Sequence, residues 1–111
     1  MIKPLGKTTA ISVADSSTTA VTVGGTNVAD YASKAAFYNA GATTIAIMVA
    51  PLGKCPAAVL PVDGTPSATN IVLPPTMHEP WVFAVPAAPF DVRCIGSAAG
   101  PGIVYITPCE E

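Results

Sequence analysis

FDVRCIGSAAGPGIVYITP, Phe90 to Pro108, decides the fold class, because it holds two alternating runs on either side of a turn. In the first run Phe90, Val92 and Cys94 alternate with Asp91 and Arg93, a spacing that puts the apolar set on the buried face of a β-sheet. The second run, IVYIT at Ile103 to Thr107, is rich in β-branched and aromatic residues, which pack well on a pleated surface. Between them SAAGPG, Ser97 to Gly102, supplies residues that preset a turn or tolerate positive φ.

Working outward, the same alternation recurs at Ile45, Ile47 and Val49, at Val21 and Val23, and at Ile11 and Val13. Turn signals separate these runs: ADSS at Ala14 to Ser17, GGTN at Gly24 to Asn27, NAG at Asn39 to Gly41, and VDGT around Asp63 and Gly64. Short strands with such punctuation predict an all-β fold, a β-sandwich or jelly roll of about eight or nine antiparallel strands. They are expected near Lys7, Ala20, Ala36, Thr43, Ala57, Asn70, Trp81 and Phe90, with a ninth near Ile103.

The segment with helical potential is Ala29 to Gly41, where Asp30 could cap and Gly41 could terminate. Its apolar positions form no clean helical stripe, so a turn followed by a strand at Ala36 to Asn39 is expected, and AAFYNAGATTIAIMV also reads as a hairpin turning at Asn39 to Gly41. Of twelve prolines, eleven fall at or after Pro51. Proline cannot donate to a sheet ladder, so Pro74 and Pro75, Pro80, and Pro86 and Pro89 are expected at strand ends or edges, where they also block unwanted pairing. No linker or second domain is read from the sequence. Residues 1–111 are expected to form one β-sandwich domain, with residues 1–7 as an extended N-terminal arm that pairs with a neighbouring subunit.

Composition points to surfaces meant to be covered. Only 11% of the 111 residues are charged, against about 25% in soluble domains generally, so Ala, Thr, Ser, Pro and apolar groups must face outward. The longest apolar candidate, Ile45 to Leu52, stops at Gly53 and Lys54, far short of the roughly 18 residues a membrane-spanning helix needs. MIKPLGKTT has lysines but no apolar stretch behind them, so it lacks the form of a secretory signal, and synthesis in a cytoplasm is expected. The basic residues Lys3, Lys7, Lys34, Lys54 and Arg93 are scattered, so no nucleic-acid track is predicted.

Residues capable of chemistry are present, but they do not group. His78 has no partners at metal-ligand spacing and reads as exposed in the loop PPTMHEP. No G-x-S-x-G elbow supports a Ser-based triad. Asp30 with Asp63, or Glu79 with Asp91, could be written as an acid and base pair, yet nothing places either pair in one cleft. The odd count of cysteines, Cys55, Cys94 and Cys109, argues for reduced thiols: Cys94 buried on its strand, Cys55 and Cys109 beside prolines in loops. Neither an enzyme nor a cofactor is expected. Tyr31 and Trp81 are the candidate interface anchors, since Tyr and Trp are over-represented among residues that dominate binding energy. Ile2, Lys3, Pro4 and Leu5 join them as the arm's contact residues.

The succession FYNAGATTIAIMVA, then ATNIVLPPTMHEPWVFAVP, then FDVRCIGSAAGPGIVYITP, spanning about Phe37 to Pro108, resembles small β-sandwich proteins of bacteriophage virions. The resemblance lies in strand and turn patterns: a strand ending in N-x-G, an alternating strand, and an Ile-Gly-Ser…Gly-x-Gly-x-Val-Tyr close. It implies a capsid decoration or cement protein on the head surface, bound to the major capsid protein or other virion proteins as a homo-oligomer, with a trimer favoured. A tail, collar or fibre-base module is the alternative within the virion. The proline-rich stretch Pro51 to Pro66 departs from the pattern. From another class, Trp81 beside Glu79 is the one seed of a carbohydrate-binding β-sandwich.

Overall fold

A computed structural model of the chain describes residues 3–5, 7–24, 33–64, 66, 69–86, 89–97 and 102–110. Among these residues nine strands follow in order: β1 Lys3–Pro4, β2 Thr9–Val13, β3 Val21–Val23, β4 Lys34–Asn39, β5 Ile45–Pro51, β6 Ile71–Leu73, β7 Trp81–Ala84, β8 Phe90–Gly96 and β9 Gly102–Glu110. They form two antiparallel sheets, so the protein is an all-β sandwich. In the five-stranded sheet β1 and β2 lie end to end along one side of β9, followed by β4 and β7; the four-stranded sheet runs β3, β8, β5, β6.

The alternation read from the sequence becomes the interior. Phe37, Ile106 and Val104 from one sheet and Phe90, Val92, Cys94, Ile45, Ile47, Leu73 and Val23 from the other are fully buried. Each fully buried Val, Leu, Ile or Phe contributes about 1.5–3 kcal/mol relative to an exposed position. Phe37 meets Phe83 edge to face, with ring centres 5.6 Å apart and planes at 76°, a geometry that aromatic quadrupoles favour.

Three sequence expectations need correction. Asn39 to Gly41 is a turn, but it does not close a hairpin: β4 and β5 belong to opposite sheets, and the turn carries the chain across the sandwich. Gly41 suits the crossing, since a Cβ there would lie 3.0 Å from the Gly102 Cα and press the two backbones apart by a few tenths of an ångström. No strand forms around Ala57. Residues 52–61 instead lie over the outer face of the four-stranded sheet, tied there by Gly53 N–H to Asp91 Oδ2 (2.9 Å), Cys55 Sγ to the Met48 carbonyl (3.3 Å) and Ala58 N–H to Ser17 Oγ (2.9 Å). The prolines at 51, 56 and 61 deny this segment the N–H groups of a ladder, while its side-chain contacts still bury Ala58. Cys109 sits not in a loop but inside β9, where it is buried.

The remaining prolines obey ladder logic. Pro74 and Pro75 follow β6, Pro80 precedes β7, and Pro86 and Pro89 lie between β7 and β8. Pro108, in the middle of a central strand, is tolerated because its missing N–H would point toward β1 and β2, at their junction. There its carbonyl accepts from Leu5 N–H at 2.9 Å, and the ladder breaks until Thr9 pairs with Ile106.

Candidate functional site

The two outer faces of the sandwich differ. That of the four-stranded sheet carries Thr22, Asp91, Ala50, Arg93, Met48, Ile95, Ala46 and Val72 by alternation, and residues 52–61 lie across much of it. Asp91 is 7% exposed and accepts from Thr22 Oγ1 and Gly53 N–H, each at 2.9 Å, so it pins the crossing segment. Arg93 Nε donates to the Thr18 carbonyl at 2.9 Å. These two charges hold the chain to itself; neither is presented to a ligand.

No segment is tied across the outer face of the five-stranded sheet among the described residues as 52–61 is across the other, though Ala36 and Cys109 on it are buried. Its rows follow from the register: Ser12 beside Ile103; Ala10 beside Tyr105 beside Tyr38; Thr107 between Ala36 and the hydroxyl of Thr8; Cys109 beside Lys34 beside Ala84. Val82 extends the Ala36 row. Ile103 and Tyr105 are each 37% exposed in the middle of the sheet. Lys34 is the one charged residue at these outward positions among the described residues. The Tyr38 hydroxyl donates to the Met77 carbonyl at 3.0 Å, which fixes its ring, whereas the Tyr105 ring is partly open. A nearly uncharged face of this kind can be desolvated cheaply, because it offers few ionic groups to strip of water.

The residues expected to form an interface do not gather. Ile2 and Tyr31 lie outside the described residues. Lys3 pairs with Glu110 and Pro4 with Cys109, while Leu5 bonds to Pro108, so residues 3–5 lie along the last strand of their own chain. Trp81 is 42% exposed at the start of edge strand β7, opposite Phe37 and away from the Ile103 and Tyr105 rows. Ile103 and Tyr105 were legible only as strand residues; their exposure depends on which face of β9 the rest of the chain leaves bare.

Among the described residues the proposed acid and base pairs are not brought together in one site. His78, Glu79 and Asp63 are exposed in loops, and among the described residues no three of His, Cys, Asp and Glu stand together as a metal site would require. Asp30, one half of a possible acid and base pair, lies outside the described residues. The three cysteines form no disulfide. Burial pushes the Cys94 thiol up to about 12 and also raises that of half-buried Cys55, the reverse of what activates a nucleophile. No helix among the described residues is long and apolar enough to cross a membrane. Compared with family models, curated proteins and solved structures, the chain matches none.

Proposed function

We propose that this chain is a structural protein of a virus particle, a decoration or cement protein that binds the head shell through the outer face of its five-stranded sheet. The observation that carries the reading is the contrast between the two sheets: one outer face is crossed by the protein's own residues 52–61, while the other shows Ile103 and Tyr105 exposed and carries Lys34 as its one charged residue among those described. The phage-like strand and turn pattern of Phe37 to Pro108 supplies the particle. Specific interfaces commonly bury at least about 1,200 Å² in total, so one such face makes a modest contact that repetition over a shell strengthens through avidity.

Co-sedimentation with particles stripped of the chain tests this reading. Replacing Ile103 and Tyr105 together with Glu keeps two exposed positions exposed and is expected to weaken pelleting at least about tenfold, since a Tyr anchor and two buried charges are at stake. Wild-type strength in this variant, with an unchanged far-ultraviolet spectrum, would overturn the assignment of the face. A copy count per particle separates shell from tail: hundreds of copies accord with the shell, a dozen or fewer with a tail, collar or fibre base.

A further inference from the structure

We propose that residues 52–61 form a strap that lifts from the outer face of the four-stranded sheet as one unit while both sheets stay intact. This inference goes beyond the proposed virion role and does not rest on it. It starts from where the strap's side chains go. Ala58 alone among these residues is buried, and Cys55 and Leu60 are half-buried. Leu52 and Val59 are 53% and 51% exposed, so the segment turns much of its apolar bulk away from the surface it crosses. Closing therefore removes little apolar area from water, and burial of such area is the dominant force that holds a segment down.

The tethers are polar and come from separate elements. Gly53 N–H donates to Asp91 on β8, the Cys55 thiol to the Met48 carbonyl on β5, and Ala58 N–H to Ser17 between β2 and β3. Pro56 and Pro61 interrupt the run of N–H groups that a ladder needs, and their fixed φ stiffens the segment so that it moves as a piece. Its ends are held by Pro51, the last residue of β5, and by a one-residue β-bridge at Val62. Beside the first of these, Gly53 holds φ at +77° with nothing within 4 Å of where a Cβ would lie, so the backbone has room to turn there. Asp91 is the latch. Its carboxylate points outward by register yet is buried, so it gives up water when the strap closes and takes Thr22 Oγ1 and Gly53 N–H in exchange. Rehydration of that charge on lifting offsets the lost bond to Gly53.

Lifting leaves the interior alone. Phe90, Val92, Cys94, Ile45 and Ile47 point to the opposite face of the same strands and pack in the core, and the Arg93 bond to the Thr18 carbonyl involves no strap residue. What it uncovers is the outer face itself: Ala50 and Asp91, buried in the closed form, together with half-buried Met48 and Arg93. The molecule thus alternates between a form with this face covered and a form with it bare, and the lifted form also frees the Cys55 thiol from the Met48 carbonyl.

Amide hydrogen exchange of the full chain, followed residue by residue over urea concentrations below the unfolding transition, reads the motion. The Gly53 and Ala58 amides are expected to exchange at rates that rise only shallowly with urea, because lifting exposes little surface, whereas the Val92 amide in β8 follows the steep dependence of global unfolding. Two substitutions test whether the strap moves as one piece. Gly53→Ala strains the closed form through its positive φ, and is expected to speed exchange further along the strap, at Ala58, by about threefold to tenfold. Ser17→Ala removes the Ala58 acceptor, and is expected to speed exchange at Gly53 by a similar factor. Both variants are also expected to react faster with N-ethylmaleimide at Cys55 than the wild type does. Should one variant fail to fold, the other and the wild-type urea slopes decide. Gly53 and Ala58 amides that share the urea slope of Val92, or substitutions that each speed exchange only at adjacent residues, would overturn the inference.

Discussion

Replacing Asn39 with Ala deletes the hydrogen bonds its buried side chain makes to the Thr43 and Pro74 carbonyls (2.8 and 3.0 Å) and from Gly41 N–H (2.9 Å). Stranding those groups where water reaches them poorly is expected to cost about 2–4 kcal/mol, read as a lower urea midpoint at constant slope. Thr76, nearby, holds φ at +52° with a β-branched side chain; Thr76→Gly is expected to relieve about 1 kcal/mol of that strain, partly offset by the freer unfolded chain, and to raise the melting temperature slightly. Cys94 gives a pH signature. Its folded pKa is raised from 9.0 to about 12 by burial, so the thiol stabilises the fold fully below pH 9 and loses up to about 4 kcal/mol as pH climbs toward 12. The stability gap between wild type and Cys94→Ala should therefore narrow above pH 9. In native protein a thiol reagent should modify half-buried Cys55 and spare Cys94 and Cys109. Cys94 was legible as a core residue from its alternation with Asp91 and Arg93. Asn39 was legible only as a turn residue, because its bonds to Pro74 and Thr43 depend on a sheet crossing that local sequence does not encode.

Strand positions were largely readable, since alternation is set by the pleat itself, but strand partners were not. The Asn39 to Gly41 turn looks the same whether it closes a hairpin or carries the chain between sheets; what decides is whether β4 gains more by pairing with β9 and β7 than with β5. The segment around Ala57 failed as a strand for a different reason. Its prolines break the ladder, and Asp91, Met48 and Ser17, all distant in sequence, supply its anchors instead. Asn70 extends the ladder of β5 past the end of β6. Its amide bonds Val49 N–H at 3.0 Å and the Val49 carbonyl at 2.9 Å, as a strand residue would. Asn70→Ala is expected to cost about 1–3 kcal/mol and to speed hydrogen exchange at Val49 more than at Ile47, which keeps its partner in β6.

At the scale of the molecule, scarcity of charge is resolved unevenly. Asp91 and Arg93 are spent on internal anchoring, and the outer face of the five-stranded sheet is left with Lys34 as its charged residue among those described. The low charge was legible in the sequence, but which outer face is left with a single charged residue was not, because that depends on where residues 52–61 come to rest. The arm at residues 3–5, in turn, lies on its own chain's β9. Electron cryo-microscopy of the virus particle that the proposed role assigns to the chain tests the central claim most directly. The expected map places this domain on the head shell with Ile103 and Tyr105 buried against a shell subunit and residues 52–61 facing solvent; a domain absent from the particle, or seated with its five-stranded sheet open to solvent, would contradict it.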